Sequence, residues 1–448
     1  MARYLDEQGL ATLWDRIRQY VYECCCGNSG SSSDADCCLE HWFDGVADGS
    51  VRSNTSKEES AYPTDTAMGL GAVAEGVDTV ASGDSSHAEG YGTIASGEAS
   101  HTEGYSFSDE GTLYQVTADK RGAHAEGGGT KATGIYAHAE GDRTEAGGIG
   151  SHSEGSLTHA TGGDSHAEGA FSTASKQAAH AEGLSTSASG HYSHAEGNDT
   201  EASGDASHAE GSRTQATQQN AHAEGSSATA SGENSHAEGS LTTASGNNSH
   251  AEGYGTIASG EASHAEGTST ASGGQSHAEG GGTTASGRNS HAAGLRTIAK
   301  HLAQYVFGAY NAEDPSTASE TARGTYIEIV GNGTGVDARS NARTLDWSGN
   351  ETLAGTLTQS SDKRLKEHVD YLGKDAEEFV RNLKPAHYIK DDAHHVGFYA
   401  QDVKEADKWD CMTGEMNGYM TLGYTELIAP LVAYCQSLEK RIAELEKK

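Results

Sequence analysis

Along the middle of the chain one pentapeptide recurs, Ser-His-Ala-Glu-Gly with small variations, and within it polar and small apolar positions alternate. A period of two is the pattern of a strand, whose successive side chains point to opposite faces. His and Glu therefore share one face and Ala takes the other. A second element follows each copy, as in Thr93-Ile94-Ala95-Ser96-Gly97. Each unit then reads as two segments of about five residues, separated by corners where glycine supplies positive φ.

The histidine marks the period. It falls at His87, His101, His124, His138 and so on to His291, nearly always 14 residues apart. His101 to His124 is 23 residues, a nine-residue insertion containing Phe107, Leu113 and Tyr114, and His264 to His277 is 13. Val73 stands 14 residues before His87 and opens the array as a degenerate first repeat, which makes 16 copies. Fourteen residues are too few for a helical repeat and suit one coil of a solenoid. Coils stacked at about 4.8 Å give a rod of roughly 75 Å, with each coil bonded only to its neighbours.

The flanks differ. Leu10, Leu13, Trp14, Ile17, Tyr20 and Val21 follow helical spacing, predicting an amphipathic helix over residues 1–23. Residues 24–67 read as a linker, with Trp42 and Phe43 as a local anchor. After the array at 68–300, the strand patterns at Tyr326–Val330 and Arg343–Trp347 predict a β-rich neck over 301–360. Near the C-terminus Leu431, Cys435, Leu438, Ile442 and Leu445 are spaced 4, 3, 4 and 3, a coiled-coil seam. Packing of that helix on its own domain is the alternative. The predicted class is mainly β: a trimeric parallel β-roll (β-solenoid) of 14-residue repeats, a β-rich neck, and an α+β domain over 361–448 that ends in a coiled-coil helix.

Composition narrows the functions. Glycine accounts for 59 of 448 residues and aromatics for 6%, so only a narrow interior of small side chains can be filled. The formal charge is −35. That argues against nucleic acid as a partner, since phosphate binding needs basic surface. Residues 361–448 carry 13 Lys/Arg against 17 Asp/Glu, and residues 1–360 carry 17 against 48. The C-terminus is thus a separate module. No apolar run is long enough to insert into a membrane, and Met1–Glu7 lacks the apolar stretch of a secretory signal, so synthesis in a bacterial cytoplasm is expected. Adjacent cysteines at 24–26 and 37–38 lack the spacer of zinc knuckles, and no metal or cofactor is expected there.

His and Glu on one face form two parallel columns, represented by His87 and Glu89, His138 and Glu140, His194 and Glu196, and His250 and Glu252. An exposed carboxylate column repels itself, and histidines donating hydrogen bonds to it offset that. The columns are expected to face sister chains of a trimer. Metal binding by the same residues is the rival reading. Catalysis is disfavoured because no copy stands apart.

Over residues 68–300 the period and small-residue positions resemble the head repeats of trimeric autotransporter adhesins. The resemblance implies a left-handed parallel β-roll and three chains per head. His and Glu stand where that family has two apolar residues, which puts an apolar interface in doubt.

The C-terminal module carries Ser360-Ser361-Asp362-Lys363-Arg364-Leu365-Lys366, then Leu383-Lys384-Pro385, then His395-Val396-Gly397-Phe398-Tyr399-Ala400-Gln401-Asp402-Val403, then Tyr424-Thr425-Glu426-Leu427-Ile428. In that order these resemble the intramolecular chaperone and auto-processing domain of endosialidase tailspikes and other phage fibres, across 361–448. The resemblance implies a Ser–Lys dyad that cuts the chain once at the domain border, with Ser361 as nucleophile and Lys366 as general base. An amine acts as a base only when neutral, which burial or a nearby cation such as Arg364 or Lys363 favours. Attack on the preceding carbonyl passes through a five-membered ring, so Ser360–Ser361 is the favoured scissile bond and Ser361–Asp362 the alternative.

Together the resemblances imply a homotrimeric phage tail-fibre protein of the virion, its N-terminus docked on a tail or baseplate protein and its body meeting a host cell-surface receptor or glycan. A polysaccharide-depolymerising tailspike and a bacterial surface adhesin are the alternatives. The insertion after Thr102, expected to expose Phe107 and Tyr114, is the candidate for a specific contact.

Overall fold

The computed structural model describes residues 66–390 and 392–447, together with the backbone of Trp42–Asp44 and Val51–Ser53. The predicted N-terminal helix and the cysteines at 24–26 and 37–38 lie outside the described residues. The chain divides into two compact units, Met1–Thr356 and Leu357–Lys448.

The first unit is a parallel β-solenoid of about 17 turns. One coil shows how the sequence builds all of them. His194–Asn198 forms a five-residue strand and Glu201–Ala202 a two-residue strand. The next coil stacks in register, His194 on His208, Ala195 on Ala209, Glu196 on Glu210 and Gly197 on Gly211. Ala202 stacks on Ala216 in the same way. The second strand is shorter than the sequence pattern predicts because the chain turns directly after Ala202. Ser207 closes that turn by donating its hydroxyl to the Gly204 carbonyl at 2.7 Å.

The interior holds almost nothing larger than threonine. Ala195 and Ala202 are fully buried, and Thr200 and Ser207 line the ends of the same narrow space. Some buried hydroxyls use local carbonyls, as Thr256 does with the Glu252 carbonyl at 3.0 Å, whereas others, Thr200 and Thr214 among them, are buried without a hydrogen-bond partner. Each alanine contributes roughly 0.8 kcal/mol for its methyl. No single interior residue dominates, and the continuous backbone ladder carries the rest.

The glycines do something other than what the sequence suggests. A Cβ on Gly197, whose φ is +112°, would lie 2.1 Å from the Gly211 carbonyl oxygen of the next coil. One on Gly204 would lie 2.0 Å from the Gln218 carbonyl oxygen. Successive backbones touch in both columns, which keeps the first glycine throughout the repeats and the second mostly glycine, with Lys120, Lys176 and Gln218 as exceptions. The left-handed corner positions are mostly not glycine: Asp199 and Ala206 have φ of 58° and 54°. Even Leu157, Phe171 and Leu241 occupy such corners, with φ of 58–59°, a conformation that costs about 1 kcal/mol for an ordinary side chain. At one edge Asn220, Asn234 and Asn248 form an amide ladder with contacts of 2.9 and 3.2 Å.

The insertion is a hairpin of Phe107–Asp109 and Thr112–Tyr114. Its rings stack on each other, Tyr105 to Phe107 at 5.7 Å and Phe107 to Tyr114 at 5.2 Å, and Arg143 lies 5.4 Å over Tyr114. Phe107 and Tyr114 are therefore half-buried rather than exposed, because each covers the other's face. Leu113 at the tip is the exposed apolar residue.

Both ends of the array extend further than the repeat motif. Val51–Ser53, inside the expected linker, pairs with Val73 and Ala74. Beyond residue 300, Tyr305–Ala309 stacks on the His291 strand, with Tyr305 on His291 and Val306 on Ala292. Tyr326–Asn332 adds a further parallel strand, and Asn341–Asp346 then pairs antiparallel. The last short strand would leave open N–H groups that invite another chain. Side chains close them instead: the Ile298 N–H donates to Asn311 Oδ1 and the Lys300 N–H to Gln304 Oε1, both at 2.8 Å. Asp314 holds this cap by accepting from Gln304 Nε2 and from the N–H groups of Thr325 and Tyr326.

The second unit is α+β around a core of Phe379, Val403, Met412 and Leu427. Helix Lys374–Asn382, hairpin Ala386–Lys390/Ala393–Gly397, helix Ala400–Ala406, hairpin Thr413–Met416/Tyr419–Leu422 and helix Ile428–Glu446 follow in order. Among the described residues no helix is long and apolar enough to cross a membrane.

Gly197→Ala is expected to lower the thermal midpoint sharply, because carbonyl contact at that distance forces two coils apart. Leu241→Asn, at a corner where asparagine tolerates positive φ, is expected to leave it unchanged or raise it slightly. Thermal unfolding followed by circular dichroism checks both.

Candidate functional site

Two arrangements gather chemistry. The first is the outer face of the solenoid's long strands. Parallel stacking places every column histidine above the last, with imidazole centroids 4.6–4.9 Å apart from His87 to His291. His194 and His208 are parallel to 0° at 4.8 Å. Each ring is half-buried between its neighbours.

The expected histidine–carboxylate hydrogen bonds are not formed in the single chain. His87 Nε2 stands 3.9 Å from Glu89, His138 3.9 Å from Glu140, His194 3.7 Å from Glu196, and His250 3.7 Å from Glu238 of the preceding coil. These distances exceed hydrogen-bond length. The Nε2 atoms of His138, His194 and His250 are buried without a hydrogen-bond partner. Backbone register fixes the reason: coil spacing suits ring stacking, and the carboxylates bond to one another instead.

Charge along this face follows from that packing. Burial between rings, then the neighbouring imidazoles, lowers the pKa of His138 and His250 below the usual value, and that of His194 to about 4. In the glutamate column, hydrogen bonds between neighbouring carboxyls push alternate members apart. Glu126 and Glu154 rise to about 7, chiefly through bonds to Glu140, and Glu238 to about 7 through Glu252. Glu140 and Glu252 are lowered by the same bonds. The column thus shares protons between coils as a coupled system.

The second arrangement is the turn at the start of the C-terminal unit. Asp362 caps the short 3-10 turn Lys363–Leu365, accepting from the Arg364 N–H at 2.8 Å. This turn reverses the chain so that Lys366 Nζ donates to Ser361 Oγ at 2.7 Å. The Arg364 guanidinium is committed to Asp362, with contacts of 2.6–3.2 Å. It therefore does not serve as the cation beside Lys366. Ser360, Ser361, Asp362 and Lys366 are all exposed.

The predicted helical seam is largely free. Leu431, Ile442 and Leu445 are exposed and Leu438 is half-buried. The helix does pack on its own unit, but through an adjacent face: Ser437 donates to Glu377, and Arg381 lies 5.9 Å over the Tyr434 ring. Tyr371, Val396 and Tyr419 are also exposed, at 92, 80 and 78%, an unusual apolar surface for so small a unit. The glycine of the His-Val-Gly-Phe-Tyr motif has a packing role the sequence does not announce. A Cβ on Gly397 would meet the Tyr424 hydroxyl at 2.3 Å, and that hydroxyl accepts from the Phe398 N–H.

Residues 361–410 match the family described as the chaperone of endosialidase. The match covers the Ser361–Lys366 turn and runs through the first helix, first hairpin and second helix; it includes neither the solenoid nor the terminal helix. No curated protein matches the chain.

The shifts on the solenoid face have opposite signs with pH. Histidines with lowered pKa contribute stability present above about 6.5 and lost as pH falls toward their folded values. Glutamates with raised pKa contribute stability present below about 4.5 and lost as pH rises through about 7. Replacing Glu126, Glu154, Glu238 and Glu266 together by glutamine, which mimics the protonated acid, is expected to raise the thermal midpoint at pH 8 and leave it unchanged at pH 5. Equal shifts at both pH values would contradict the alternating proton pattern.

Proposed function

We propose that the chain is a homotrimeric phage tail-fibre or tailspike-type protein whose C-terminal unit assembles the trimer and is then released by a single self-cleavage. The observation that carries this reading is the Lys366–Ser361 contact of 2.7 Å inside the segment matching the chaperone of endosialidase. Once trimer contacts bury Lys366 and leave it neutral, its Nζ takes the Ser361 hydroxyl proton as Oγ bonds to the Ser360 carbonyl carbon. The Ser360–Ser361 C–N bond breaks, the leaving amine takes a proton, and water then hydrolyses the ester. Two residues suffice for one turnover.

Assembly supplies what the single chain lacks. The exposed Leu431, Ile442 and Leu445 offer a seam for sister helices, and the same association covers Val396 and Tyr419. A solenoid whose coils are nearly identical has weak register information, so a trimer nucleated at one end sets the register for the rest. The His–Glu face is assigned to the contact between sister chains. The N-terminus is assigned to the virion tail and the rod to a host-surface receptor or glycan. The same carboxylates recur in every coil, which favours a structural role over a polysaccharide-cleaving site.

The test is the intact mass of the full chain beside Ser361→Ala. The reading expects the wild type to yield a large body and a fragment beginning at Ser361, with the variant staying whole. Two uncleaved proteins would remove the self-cleavage.

A further inference from the structure

The stacked histidine–glutamate face offers repeated three-ligand clusters. His180 Nε2 lies 3.5 Å from a Glu168 oxygen of the preceding coil and 3.6 Å from a Glu182 oxygen of its own. Glu140 reaches both His138 and His152, at 3.9 and 3.8 Å, through its two different oxygens. Such separations are too long for hydrogen bonds. They approach the ligand–ligand edge of a tetrahedral zinc site, about 3.4 Å for bonds of about 2.1 Å. Ligand atoms of His180, Glu182 and His194, and of His236, Glu238 and His250, lie within 4.8 Å of one another.

We infer that this face binds divalent transition-metal ions, zinc being the probe, with one imidazole Nε2 and the carboxylates of two successive coils as ligands. Glu168, His180 and Glu182 are the best-formed set. Two lines of chemistry meet here. The Nε2 atom of each such histidine is buried and lacks a hydrogen-bond partner, so its lone pair or proton is unsatisfied in the chain alone. A cation between carboxylates of successive coils also offsets the repulsion of like charges stacked at coil spacing. Imidazole in the set selects zinc, nickel or copper over magnesium and calcium, which prefer oxygen alone. Two stacked imidazoles do not converge on one ion, because the centroids of their parallel rings stand 4.6 Å or more apart, beyond twice a zinc–nitrogen bond of about 2.1 Å. The set is therefore one histidine with two glutamates, leaving a fourth position to water or to a sister chain.

The experiment uses untagged full chain, freed of metal by chelator and dialysed against zinc in excess magnesium. Bound zinc is measured by elemental analysis and the thermal midpoint by calorimetry. The expected result is several zinc ions per chain, on the order of one for every two coils because each site draws on two, with a raised midpoint that magnesium does not give. Changing the six glutamates Glu154, Glu168, Glu182, Glu196, Glu210 and Glu224 to glutamine affects six of fifteen column positions. It is expected to cut bound zinc by roughly 40% in proportion. Cobalt bound to the wild type is expected to show tetrahedral visible absorption, which needs no variant to fold. Three results would overturn the inference: no zinc retained over magnesium, an undiminished complement in the folded glutamine variant, or loss of binding on changing histidines outside the column. The last set is His159 and His191, with the His387–His394 pair whose nitrogens stand 3.0 Å apart.

Discussion

The contact on which the rest depends is the approach of one coil's glycine to the next coil's carbonyl. Where Gly197 faces Gly211, a methyl would sit 2.1 Å from oxygen. This closeness keeps the backbone ladder continuous through strands as short as Glu201–Ala202. It also imposes strict register: even across the 13-residue step the glycine of one coil meets the glycine of the next, Gly267 on Gly280. Register then does the chemical work. It stacks alanine on alanine inside and repeats histidine on histidine and glutamate on glutamate outside.

From that repetition follow the unusual properties of the outer face. One histidine beside one glutamate on a surface is unremarkable. Stacked at coil spacing, the imidazoles exclude water from each other and the carboxyls must share protons. The single chain leaves this face with unsatisfied nitrogen atoms and the C-terminal helix with uncovered leucines. In the proposed trimer sister chains cover both, and metal ions are the proposed partners of the nitrogen atoms. The end cap shows the opposite solution: Asn311, Gln304 and Asp314 close the last coil internally, so the solenoid does not grow by adding another chain there.

Much of this was legible in the sequence. The 14-residue period, alanine inward, and His and Glu outward are all written in Ser-His-Ala-Glu-Gly. The Ser361–Lys366 contact was readable from a five-residue spacing once its context was recognised. Other features were hidden because they depend on contacts between coils. Leu241 at a left-handed corner has no local signal, and the glycines were assigned to corners when stacking demands them. Asn311 and Gln304 lie outside the motif, so nothing in the repeat marks them as substitutes for backbone. Arg364 was read as a cation for Lys366, yet the capping geometry of Asp362 claims it. The ring stacking within the insertion could not be seen from Phe107 and Tyr114 alone.

In the proposed assembly the C-terminal unit sets trimer and register, after which the solenoid holds itself together. The direct measurement is the oligomeric mass of the body after its release, before and after a cycle of complete unfolding and dilution into buffer. A stable trimer is expected before the cycle and no recovery afterward, while uncleaved Ser361→Ala chain recovers. A released body that regains its trimer as fast as the uncleaved chain would contradict it.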